Sequence, residues 1–219
     1  MRLMIAAAVL GIAAVGCSAP AAQQPAAPRD AARATGALPE GWKARLDDAA
    51  AKPDAVHVAA EAKGSLTFTS GPAGVYYKPD MKAEKDYTLS AAFSQLKTPA
   101  TPQPYGLFVA GADLDKDVPR YTALLVRSDG KYQIESRIGE KITVVVPWAV
   151  ARQMIEPKGV KTSNTLTIRA LQGAVHFLIA DKEVHQMPRE RAGADGIAGV
   201  RIGSGLNVQV DKLEVKKFP

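Results

Sequence analysis

The stretch "RYTALLVRSDGKYQIESRI", residues 120–138, decides the fold. Asp129-Gly130 is a pair suited to the positive φ angles of a tight hairpin turn, and apolar residues flank it on both sides. A two-residue turn at this pair would make Arg127 face Tyr132, Leu125 face Ile134 and Leu124 face Glu135. Side chains alternate along a strand, so Gln133, Glu135 and Arg137 share one side, across from Val126, Leu124 and Thr122. The other side collects Leu125, Ile134, Tyr121 and Ile138, the more apolar set, which is therefore expected to face a core between two sheets. The mixed side would then be an outer, concave surface. Arg127 and Tyr132 share the parity of the core but lie beside the turn, from which they could reach round the edge.

The same texture extends in both directions. "GSLTFTS" (64–70), "AGVYYKP" (73–79) and "PYGLFVAG" (104–111) are short runs bounded by Gly and Pro. "KDYTLSAAFSQL" (85–96) alternates, with Tyr87, Leu89, Ala91 and Phe93 on one side. A second hairpin is expected in "NTLTIRALQGAVHFLIADKEVHQM" (164–187) and a final strand pair in "GIAGVRIGSGLNVQVDKLEVKKF" (196–218), with the 203–205 "GSG" as its turn. Only "VPWAVARQMIEPKG" (146–159) departs from this pattern, as a short helix or an irregular excursion. Many short strands with regular turn signals, and no strand–helix alternation, predict an all-β antiparallel two-sheet sandwich.

The amino terminus is of a different kind. Arg2 precedes an apolar run from Leu3 to Val15, which ends in small residues before Cys17, the single cysteine. This is the layout of a secretory signal, and it falls short of the roughly 20 apolar residues of a spanning helix. Ser18 to Pro39 holds nine alanines and four prolines and little that could be buried, the composition of a disordered tether. The expected organisation is a signal at 1–16, a linker at 17–39 and one β domain at 40–219. The net charge of +6 is spread along the chain, without the basic-aromatic interleaving of a nucleic-acid binder.

Ala14-Val15-Gly16-Cys17 resembles a bacterial lipobox. The resemblance implies cleavage before Cys17, acylation of its sulfur and new amino group, and attachment to a membrane through those acyl chains. More than one chain anchors durably. Ser18 after the cysteine implies the outer membrane, facing the periplasm or the cell surface. The domain itself resembles a concanavalin A-like (laminin-G-like) jelly roll, in particular exported bacterial domains of the 3-keto-disaccharide hydrolase type. The residues that carry this are "YGLFVAG", "YTALLVRSDGKYQIESRIGEK", "VPW", "NTLTIRALQGAVHFLIADKEV" and "GIAGVRIGSGLNVQVDKLEV". The resemblance implies a sandwich that binds or cleaves glycosides.

Glycoside hydrolysis needs two carboxyl groups flanking the bond. Acid-x-acid spacing occurs at Asp113/Asp115/Asp117 and at Asp181/Glu183, one set in a loop and the other at a hairpin tip. Glu135 is the one acid well inside a strong strand and the candidate catalytic residue, yet it has no partner at strand spacing. "DLDKD" lacks the Gly and Glu of an EF-hand loop. Asp113, Asp115 and Asp117 remain candidates for calcium, the one cofactor considered. With Ala180-Asp181 as a turn, His176 opposes His185 as a potential metal pair without a third ligand. Tyr105 and Tyr132, with Arg127, Glu135 and Arg137, are the candidate ligand-binding residues, since aromatic faces stack on sugar rings. The expected function is carbohydrate or envelope-polymer binding without chemistry. A glycoside hydrolase, which the resemblance implies, and a structural envelope lipoprotein are the alternatives.

Overall fold

The computed structural model describes residues 38–51, 55–61, 64–154 and 163–218. The signal, Cys17 and nearly all of the linker lie outside them. Among the described residues fourteen strands form two antiparallel sheets. The first sheet orders β1 (Lys43–Leu46), β4 (Gly74–Ala83), β13 (Gly196–Ile202), β6 (Tyr105–Ala112), β7 (Arg120–Val126), β8 (Lys131–Ile138) and β9 (Lys141–Val150). The second orders β12 (Lys182–Pro188), β11 (Ala174–Ile179), β10 (Ser163–Leu171), β5 (Tyr87–Lys97), β14 (Asn207–Lys217), β3 (Leu66–Ser70) and β2 (Val56–Ala60). This is a jelly-roll sandwich. One helical turn, α1 (Arg189–Ala192), follows Pro188 and ends at Gly193 in the left-handed conformation.

Alternation builds the main core. Tyr87, Leu89, Ala91 and Phe93 of β5 are buried against Leu107 and Val109 of β6 and Leu124 and Val126 of β7. A second, smaller apolar cluster lies on the opposite side of the first sheet and comprises Val75, Tyr77, Phe108, Leu114, Tyr121, Ala123 and Leu125. Here two expectations are corrected. Leu125 and Tyr121 do not face the inter-sheet core; they belong to the outer cluster. Ile138, expected in the core, is exposed.

The cause is the turn. The Arg127 N–H donates to Lys131 O at 2.9 Å and the Gly130 N–H to Arg127 O at 3.1 Å. The loop is therefore the three residues 128–130, with Gly130 at φ +73° supplying the left-handed step. One extra loop residue shifts the register by one: Val126 pairs with Tyr132, Leu124 with Ile134, and Ala123 with Glu135. Gln133, Glu135 and Arg137 still share a face, but with Leu125, Ala123 and Tyr121 as neighbours.

Two further expectations change. "VPWAV" is the end of β9 rather than a helix; Pro147 is tolerated because β9 is an edge strand. The final strands are not a pair. β13 inserts between β4 and β6, whereas β14, four residues later, inserts between β5 and β3 of the other sheet.

Candidate functional site

The outer face of the first sheet assembles the polar residues that the strand pattern separates. Asp47, just after β1, accepts from Arg137 Nη1 of β8 at 3.1 Å and from Arg201 Nη2 of β13. Cross-strand pairing sets this arrangement: Arg201 stands opposite Val75 and Gly106, Arg137 opposite Tyr121, and Glu135 opposite Ala123. The floor beneath is apolar and aromatic, with the Phe108 and Tyr121 rings 5.5 Å apart. One flank is the loop after β6, where Leu114 packs on that floor and Arg45 donates to the Leu114 and Lys116 carbonyls.

Glu135 is the atypical member. It is 8% exposed, and its carboxylate makes no hydrogen bond among the described residues, whereas both neighbouring guanidinium groups are drawn to Asp47. Burial raises its pKa above the ordinary carboxylate value, overriding the attraction of Arg201 and Arg137, and the Asp47 charge pushes the same way. Burial likewise raises the pKa of the Tyr121 phenol, while Arg201 and Arg137 act against the rise. The arrangement sets a carboxylate clamped by two arginines (Asp47) beside an unclamped one whose pKa is raised (Glu135). The Glu135 oxygens keep some access to solvent, whereas Arg201 Nε beside them is fully buried without a hydrogen-bond partner among the described residues, which is uncommon in a purely structural position.

Other expected site residues are placed elsewhere. Tyr105 is corrected: it is 2% exposed in the inter-sheet core, 5.7 Å from the Phe93 ring, and its phenol is pushed up to about 12. Tyr132 is half-buried against that core and donates its hydroxyl to Val184 O at 3.1 Å. Arg127 is held by Asp129 at 2.6 Å and lies over the Trp148 ring at 4.2 Å. That places it on the outer side, at the end of the face away from Asp47.

His176 and His185 do not oppose each other. Ala180-Asp181 does form the turn, with Ile179 opposite Lys182, but a bulge beyond Phe177 puts Phe177 opposite His185 and His176 opposite Gln186. His176 Nδ1 donates to Glu183 at 2.7 Å. Asp113 is neutralised by Lys116 at 2.8 Å and Arg120 at 3.2 Å, and its pKa is lowered chiefly by the Lys116 hydrogen bond. Among the described residues no group of three or more His, Cys, Asp or Glu side chains converges as a metal site.

Sequence reasoning missed Asp47 and Arg201, which are 154 residues apart and meet only through the order of strands in the sheet. Arg201 inside the apolar run "GVRIG" was the available signal: a charge at a buried strand position demands a partner.

No family model and no curated protein matches the chain. Solved structures do resemble it in fold. The carbohydrate-binding module CBM66 from Bacillus subtilis superposes with a TM-score of 0.57 at 10% identity, over 81% of this chain and 96% of the module. A protein of unknown function with a galectin-like fold from Bacillus subtilis gives 0.52 at 12% identity, over 80% and 89%. Alginate lyase A1-II', a member of polysaccharide lyase family 7, gives 0.52 at 13% identity, over 81% and 96%. At such identities the likeness is one of architecture, and the chain shares the jelly-roll sandwich of these proteins.

Proposed function

We propose that this protein is a carbohydrate-binding module whose ligand lies on the outer face of the first sheet, against Glu135. The observation that carries the reading is the Glu135 carboxyl group, nearly buried, unbonded and set beside two arginines over an aromatic floor. Sugar hydroxyls both donate and accept, so they suit a carboxyl group that lacks a partner and guanidinium groups with donors to spare. The sandwich fold, shared with a carbohydrate-binding module and with alginate lyases, supports the same reading.

The test is a glycan array followed by titration calorimetry on the best hit. Glu135→Gln should weaken binding by about 10–150-fold, the equivalent of one charge-assisted hydrogen bond of about 1.5–3 kcal/mol. An affinity unchanged by this substitution would place the ligand elsewhere.

One observation favours a second reading, a glycoside hydrolase of the 3-keto-disaccharide hydrolase type. Glu135 and Asp47 are two carboxyl groups that both face Arg137 and Arg201, and burial raises the pKa of Glu135, as suits a general acid. Loss of a measurable glycosidase rate in Glu135→Gln with binding retained would establish it.

The lipobox-like residues before Cys17 support a further proposal. The mature chain is a lipoprotein of the cell envelope, held by acyl chains on Cys17 at the outer membrane and facing the periplasm or the surface. Mass spectrometry of the mature amino terminus tests it: an unmodified Cys17, or cleavage elsewhere, removes the anchor.

A further inference from the structure

Next to the outer face, the ends of β6, β7 and β8 meet the segment that joins β12 to β13, and a crevice of about 540 Å³ opens between them. Bulges make the opening. β6 loses register between Val109 and Ala112, where Ala110 takes φ +59°, and β13 loses register between Ile197 and Gly199. Such bulges bend strands away from regular pairing and are frequent beside binding sites.

The lining carries four arginines, Arg120, Arg137, Arg189 and Arg191, against two acids, Glu190 and Asp195. Arg189 is a wall, fully engaged by Asp195 at 2.6 Å, by Asp86 at 3.6 Å and by the Lys85 carbonyl. Among the described residues Arg120 gives one Nη2 contact, to Asp113, and keeps other donors. Arg191 is exposed and makes no ion pair among the described residues. At the base, Thr122 donates to Ala192 O at 2.9 Å and pairs with the Ser136 hydroxyl at 2.8 Å. Tyr121 and Arg137 belong to both the crevice and the outer face, so the two form one continuous surface.

We infer that the crevice is a subsite for an anionic substituent on a saccharide, a carboxylate or a sulfate, so that the preferred ligand is an acidic glycan lying from Glu135 across Arg137 to Arg120 and Arg191. This rests on the carbohydrate-binding reading above. Guanidinium forks match the planar oxygens of a carboxylate and the tetrahedral ones of a sulfate. Three of the four arginines are ion-paired, to Asp113, Asp47, Asp86 and Asp195, so the anion would be met by the remaining donors of Arg120 and Arg137 and by the unpaired Arg191.

The experiment uses the folded lipid-free domain with its linker, and calorimetry at 150 mM salt. The probes are hexamers of galacturonate, mannuronate and glucuronate, each beside its carboxyl-reduced neutral counterpart, and sulfated galactan oligomers beside their desulfated forms. At least one acidic member is expected to bind about tenfold or more tightly than its neutral counterpart. Whether it is a uronate or the sulfated galactan distinguishes the two anions. Arg191→Glu, on the surface, should remove that advantage, with Arg191→Lys keeping part of it. Arg120→Gln should weaken the acidic probe alone. Neutral forms binding as well as acidic ones would overturn the inference and leave the carbohydrate reading intact. Binding to no saccharide would overturn both. Acidic binding indifferent to Arg191→Glu would remove it from this crevice.

Discussion

Replacing Glu135 by Gln should make the protein more stable at neutral pH while impairing its site. Glu135 is 8% exposed and makes no hydrogen bond among the described residues, so only limited access to solvent offsets its desolvation. Its folded pKa is raised by burial despite Arg201 and Arg137, so the folded state binds a proton more readily than the unfolded chain does. The sign follows from linkage. Below the unfolded pKa the residue is protonated in both states and costs nothing. As pH rises through the unfolded and then the folded value, stability is lost, and above the folded value the whole penalty is present. An uncompensated buried polar group costs about 1–3 kcal/mol, and partial exposure favours the lower end, about 1 kcal/mol. For a domain of this size that is roughly 2–4 °C in Tm. Thermal melts of both proteins from pH 3 to pH 8 should therefore coincide in acid and separate toward neutrality, with Glu135→Gln the higher. A Glu135→Gln protein that melts lower at pH 7, or a gap that does not change with pH, would refute the account of Glu135 as a destabilised, functionally retained acid.

Other perturbations have equally definite outcomes. Asp47→Asn weakens the pairing of a nearly buried Arg201 and of Arg137 at once, and should cost about 3 kcal/mol in denaturant unfolding, the low end for breaking a buried pair. Gly199→Ala would place a Cβ 2.3 Å from Tyr76 O and 2.7 Å from the Phe108 ring, and overpacking of this kind should lower stability by about 1–3 kcal/mol or more, read as a depressed Tm. The Ala180-Asp181 turn holds both residues at positive φ, 47° and 60°. Replacing the pair with Asn-Gly should raise stability by about 1–2 kcal/mol without altering ligand affinity.

What could be read from the chain and what could not divide along physical lines. Period-two alternation is local, so "KDYTLSAAFSQL" announces β5 and its buried side correctly. Turn chemistry is local too: Asp129-Gly130 marks a real turn, whereas Ala180-Asp181 is a poor turn pair that nonetheless turns, with both residues at positive φ. Loop length is less local. Asp-Gly serves equally in a two-residue loop and at the end of a three-residue one, and that single residue moved Leu125 and Tyr121 from the expected core to the outer face. Proline in "VPWAV" argues against a central strand but is silent about an edge. The site itself was half visible. Glu135 stood out as an acid inside a strand, whereas its environment depends on Asp47 and Arg201, whose meeting follows from strand order and not from any spacing.

That strand order also governs when the protein can fold. β13 and β14, within residues 196–217, occupy the interior of the first and second sheets respectively. Until they arrive, β1 and β4 have no link to β6–β9 in one sheet, and β2 and β3 none to β5 and β10–β12 in the other. Without residues 196–217 the strand order thus falls into four unjoined groups with unpaired edges. Closing contacts across such separations is slow. Neither sheet can therefore be completed before β13 and β14 are made, and a truncation that removes β14 alone should leave no native sandwich at all.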